Sequence, residues 1–104
     1  MLIRGEYRAI ANKELYMYLH LGQNVVVMAS SVIGIFDLDN TTESHITRKF
    51  LSEAEKAGLV ETVSDDLPKS FVVCDENNEM SIYLSQLTSA TLLKRSEHLN
   101  DEAV

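Results

Sequence analysis

Apolar residues in this chain come in short runs cut by turn residues, and only one internal stretch carries helical spacing. That pattern limits the fold more than any motif does. Met17-Tyr18-Leu19-His20-Leu21 ends at Gly22-Gln23-Asn24, and Val25 to Met28 follows as the second arm of a hairpin. Ala29-Ser30-Ser31 interrupts the run, and Val32 to Leu38 forms a third strand of β-branched and aromatic character. Asn40 then caps a helix with Glu43 in the reciprocal position, and Ile46, Phe50, Leu51, Ala54 and Ala57 recur at helical spacing up to Gly58, a natural stop. Leu59 to Val63 is extended, and Ser64 to Pro68 is a loop. Ser70 to Cys74 and Met80 to Leu84 flank Asp75 to Glu79, read as a five-residue hairpin connection. Thr88 to about Leu99 reads as a second helix, ahead of a frayed tail from Asn100 to Val104. The expected class is α+β: a mostly antiparallel sheet with one main helix packed on it and a short C-terminal helix.

A chain of 104 residues forms one core and not two. It has no apolar run near the roughly 20 residues of a membrane-spanning helix, and the opening MLIRGEYRAIANKEL is not a secretory signal. Cys74 is the sole cysteine, so no internal disulfide forms. These features place the expected protein in the cytoplasm. Charge divides the chain. Residues 1–16 carry +1 and residues 17–104 carry −8, from six basic and fourteen acidic side chains. A net charge of −7 repels polyanions at long range, so nucleic-acid binding would need a local basic patch repeated by an oligomer.

The stretch IGIFDLDNTT, Ile33 to Thr42, has the letters of a phosphoaspartyl enzyme, in which one carboxylate attacks phosphorus and a second, two residues on, protonates the leaving group. Asp37 and Asp39 would fill those roles, with magnesium held by further carboxylates. That chemistry is built on several βαβ crossovers of about 30 residues each, which this pattern of short strands does not provide. The simpler assignment makes Asp39, Asn40 and Thr41 turn and cap residues. His20, His45 and His98 fall on different elements without metal-ligand spacing. No GxSxG elbow and no glycine-rich phosphate loop is present, so no catalytic residue, cofactor or metal is assigned.

After Met17 the only cations are Arg48, Lys49, Lys56, Lys69, Lys94 and Arg95. In an isolated monomer they are ordinary solvated surface; in a nucleic-acid-binding assembly they are phosphate contacts. Short apolar strands leave unpaired edges that invite a second copy, and Tyr16 to Leu21 is the segment best suited to such an interface.

Four segments together resemble the RemB-like branch of the bacterial extracellular matrix regulatory proteins: MYLHLG (Met17 to Gly22), VIGIFDLDN (Val32 to Asn40), PKSFVV (Pro68 to Val73) and SATLLKR (Ser89 to Arg95). The resemblance implies three parts: residues 1–16 as an extension upstream of a natural start at Met17, a regulatory domain over 17–96, and a flexible acidic tail over 97–104. It also implies a small cytoplasmic regulator of matrix and biofilm genes. The related RemA branch binds DNA, assembles into rings and has a fold similar to LytTR-type DNA-binding domains. On that basis Arg48, Lys49, Lys69, Lys94 and Arg95 are the expected DNA contacts of a homo-oligomer. The sequence departs from the RemA branch in the loop before PKSFVV, where Ser64-Asp65-Asp66-Leu67-Pro68-Lys69 replaces an arginine-rich cluster. Two other functions stand beside the regulator: an oligomeric protein-interaction module of the same fold without DNA binding, and the magnesium-dependent phosphatase through Asp37 and Asp39.

Overall fold

The computed structural model describes residues 2–3, 17–38 and 45–102, with side chains placed for 17–38 and 45–97. Its centre is β6 (Ser70–Glu76), whose residues Ser70 to Cys74 are all buried. Side chains alternate across a strand, so this unbroken apolar run feeds two cores, one on each face of the sheet, where chain length alone suggested a single one. Val72 and Cys74 enter one, with Leu19, Leu21, Val27, Val32, Ile35, Val63 and Leu92. Phe71 and Val73 enter the other, with Leu38, Ala54 and Ile82. A strand buried on both faces must have a covering layer on each.

β6 lies between β4 (Val32–Asp37) and β7 (Glu79–Ser85), antiparallel to both. The five-stranded sheet is completed by β1 (Leu2–Ile3) beside β4 and by β5 (Val60–Thr62) beside β7. The β5–β7 pair is parallel, because α1 (His45–Lys56) carries the chain across the sheet between β4 and β5. The architecture is thus α+β and mostly antiparallel, with a single crossover. A second sheet, the hairpin of β2 (Tyr18–Gly22) and β3 (Val25–Met28), and α2 (Ser89–Glu102) cover the face opposite α1.

Local chemistry explains most boundaries. At the end of α1, Gly58 adopts φ +78°, with Gly58 N–H donating to Glu55 and Leu59 N–H donating to Ala54. These are the paired bonds of a Schellman terminus. Thr88 caps α2 by accepting the Thr91 N–H at 3.1 Å. The β6–β7 connection is shorter than expected: Asn77 and Asn78 alone form the turn, at φ 55° and 65°. Asparagine tolerates that left-handed backbone, which allows a two-residue turn, so Asp75, Glu76 and Glu79 join the ladder. In β4, Val32 pairs with Cys74 and Gly34 with Val73, a bulge that absorbs Ile33 and lets Val32 and Ile35 share a face.

α1 departs from the expected pattern. Only Ala54 is buried and Leu51 is half-buried, whereas Ile46 is 81% exposed and Phe50, 37% exposed, meets the core in a tilted ring contact with Phe71. The helical stripe is real, but the sheet lies beneath its C-terminal half alone. The expected Asn40 cap and Glu43 partner lie outside the described residues, as does Asp39.

Two buried serines join the layers. Ser85 Oγ donates to the Leu21 carbonyl at 2.6 Å and accepts the Leu87 N–H at 3.0 Å, while Ser70 Oγ donates to the Leu87 carbonyl at 2.8 Å. They fix the end of the hairpin and the lead-in to α2 against the sheet. Gly22, at φ +118°, stands against Gln86 so closely that a Cβ would lie 2.8 Å from Oε1. Gly22→Ala is therefore expected to lose about 1–3 kcal/mol, read as a lower urea midpoint. Adding Gln86→Ala relieves the steric part but not the backbone strain, so the double variant recovers only partly.

Candidate functional site

The five cations expected to meet phosphate do not form one patch. Arg48 and Lys49 are exposed on α1, and Arg48 lines a groove of about 470 Å³ with Leu38, Leu51, Glu55, Leu67 and Pro68. Lys69 is next in the chain. Its N–H donates to the Ser85 carbonyl and its carbonyl accepts from Leu38, so both backbone groups anchor it at the same end of the sheet. Lys94 and Arg95 are exposed on α2, across the sheet from α1. One straight duplex cannot lie along both helices of a single copy.

The two sets also differ in their surroundings. The Arg48 groove contains Glu55, and the exposed Asp65 and Asp66 lie in the loop before Lys69. These carboxylates offset the local positive charge. Within the α1 set, Arg48 Nη2 also meets His45 Nδ1 at 3.2 Å. Lys94 and Arg95 line a cleft of about 810 Å³ between β2 and α2, with Tyr18, His20, Gln86 and Thr91 among its other walls and no carboxylate among the described residues. Arg95 Nη1 donates to the His20 carbonyl at 3.2 Å. In a chain of net charge −7, that is a local reversal of sign.

His20, Tyr18 and Gln86 therefore belong to a site that the sequence did not reveal. Gln86 is 64 positions from Gly22, and the two segments are brought together by the Ser85–Leu21 bond and the packing around it. No short-range spacing signals such a pairing.

The aspartate motif at Asp37 has a different setting from that of a phosphoaspartyl enzyme. Asp37 ends β4, whose described neighbours β1 and β6 are both antiparallel to it, so the tip of a parallel strand is not what this sheet presents there. Among the described residues no group of three His, Cys, Asp or Glu side chains is placed to hold a metal ion. None of their helices is long and apolar enough to cross a membrane.

Cys74 is buried in the sheet, and burial pushes its thiol up, only partly countered by a hydrogen bond with Ser31. Burial likewise raises the Tyr83 hydroxyl, helped by the negative charge of Glu61. Both groups fold more readily in the neutral form. Their contribution is full below the ordinary thiol and phenol ranges, about pH 8.5 and 10, and is lost as pH rises through the elevated folded values. The urea midpoint is expected to fall on going from neutral pH to about pH 10.5, and to fall less in Cys74→Ala. A thiol reagent should label Cys74 slowly in the native protein and rapidly in urea.

Residues 18–95 match the RemA-like family, described as extracellular matrix regulatory protein A-like. The chain is also 40% identical over 83 residues to extracellular matrix regulatory protein B of Bacillus subtilis (strain 168), covering 80% of this chain and 94% of that relative. The matched segment takes in β2 to β7, α1 and most of α2, so both cation sets and the cleft lie inside it.

Proposed function

We propose that this chain, which belongs to the RemA-like family of extracellular matrix regulatory proteins, is a non-enzymatic cytoplasmic regulator of matrix genes that contacts DNA as a homo-oligomer. The observation that carries this reading is the match to a regulatory family across 18–95, a range that holds every candidate phosphate contact. Arg48, Lys49 and Lys69 are one set of contacts, and Lys94 and Arg95 are the other. Each set is small, and the whole chain is acidic, so one copy binds DNA weakly. Repetition around an assembly multiplies the released counter-ions and raises avidity.

Exposed apolar side chains support self-association. Tyr18 and Val26 are 51% and 43% exposed on the outer side of the hairpin, where Tyr18 pairs with Met28 and His20 with Val26. Ile46, Phe50 and Leu67 are a second group, on α1 and the loop beside it. Exposed apolar surface of this kind is characteristic of an interface. The acidic Asp65-Asp66 loop favours a second reading, an oligomeric interaction module of the same fold that does not bind DNA. The phosphatase reading loses support from the antiparallel setting of Asp37.

Light scattering is expected to give a mass several times that of one chain. DNA affinity should fall with salt at a log–log slope of roughly −0.9 per phosphate contacted. Arg48→Glu/Lys49→Glu should weaken binding at least about tenfold, roughly 1.4 kcal/mol, compared with the unsubstituted protein at matched assembly mass. An assembled protein that ignores DNA at low salt would establish the interaction module instead. Magnesium-dependent phosphoester turnover abolished by Asp37→Asn would overturn both.

A further inference from the structure

We propose that the cleft between β2 and α2 binds a small phosphorylated ligand of the nucleotide class. The proposal goes beyond the DNA-binding reading and does not rest on it. Four observations converge on this cleft. Among the described residues it is lined by Lys94 and Arg95 with no carboxylate, whereas the groove on the opposite face sets Glu55 beside Arg48. Its volume of about 810 Å³ is that of a small-molecule site. Tyr18, half exposed, supplies an aromatic face at its wall. Finally, Gln86 Oε1 is buried there with no hydrogen-bond partner among the described residues.

Each observation selects a part of the ligand. Two neighbouring cations in a cleft without acids focus a positive field, which selects an anion. Arg95 uses one donor on the His20 carbonyl, which restrains a guanidinium that carries five N–H donors in a fork matched to phosphate. The ammonium of Lys94, on the next residue, adds a point charge. The Tyr18 ring offers a stacking surface for a flat heterocycle. A buried carbonyl oxygen without a donor is costly, and turning the Gln86 amide into the cleft lets an N–H of a nucleobase or a ribose hydroxyl satisfy it. An inorganic anion answers only the first of these demands. A nucleoside phosphate answers all of them.

The phosphate could be supplied by a mononucleotide or by a DNA backbone, and the test separates the two. The full-length protein is titrated with adenosine and guanosine monophosphates, their nucleosides, inorganic phosphate and a DNA duplex. Amide signals of Gly22, Thr91 and the Gln86 side chain are followed by NMR. At least one nucleotide is expected to saturate and shift those signals, binding at least about tenfold tighter than its nucleoside or phosphate alone. Lys94→Gln/Arg95→Gln should weaken it about tenfold or more. Gln86→Leu should weaken the nucleotide but not inorganic phosphate. Arg48→Glu/Lys49→Glu should leave nucleotide affinity unchanged even if it abolishes DNA binding, so the two readings fail separately. Absence of saturable shifts with both nucleotides would overturn the proposal. So would nucleotide binding indifferent to Lys94 and Arg95, or cleft signals that respond to the duplex alone.

Discussion

Burial of β6 on both faces is the constraint from which the rest of the structure follows. A strand whose residues alternate between two cores requires cover on two sides, and this small chain provides it with unequal materials. One side receives α1. The other receives the β2–β3 hairpin and α2, held by Leu19, Leu21, Val27 and Leu92. Because the helices cover opposite faces, whatever cations they carry are separated by the thickness of the sheet. The division of the basic residues into two sets is a consequence of core packing.

The second determinant is polar. Ser70 and Ser85 are cross-strand partners, fully buried, and their hydroxyls serve backbone groups outside the sheet. Buried hydroxyls satisfied in this way fix geometry more tightly than apolar contact does, because a displaced partner leaves an unmet hydrogen bond. Ser85 thereby decides where the hairpin ends relative to α2, and so sets the mouth of the cleft. Gly22 follows from the same closeness: at φ +118° its backbone meets the Gln86 amide, so a side chain there is strained and must displace that amide.

For an acidic protein, average charge is a poor guide to what it binds. The long-range field repels nucleic acid and phosphate, yet a cleft walled by Lys94 and Arg95 reverses that field over a few ångströms. The α1 set differs, since Glu55, Asp65 and Asp66 are close to it in the groove or in the chain. Repetition in an assembly compensates for weakness at one copy; a ligand small enough to enter a cleft needs no such help.

Strands β2 to β7, the helix stop at Gly58 and the α+β class were legible in the sequence because they are set by neighbours within a few residues. Alternation, turn chemistry and capping act locally. The family resemblance was legible for the same reason, being carried by four contiguous segments. The rest was set by contacts between distant residues. The two-residue turn at Asn77-Asn78 lay within local reach, but the charged residues around it disguised the continuing ladder. Parallel pairing of β5 with β7, exposure of Ile46 at the end of α1 that the sheet does not reach, the placing of Lys94 and Arg95 across the sheet from Arg48, and the meeting of Gly22 with Gln86 were decided by tertiary structure alone. Each depends on which surfaces remain uncovered once both faces of β6 have been buried, and no local pattern encodes that.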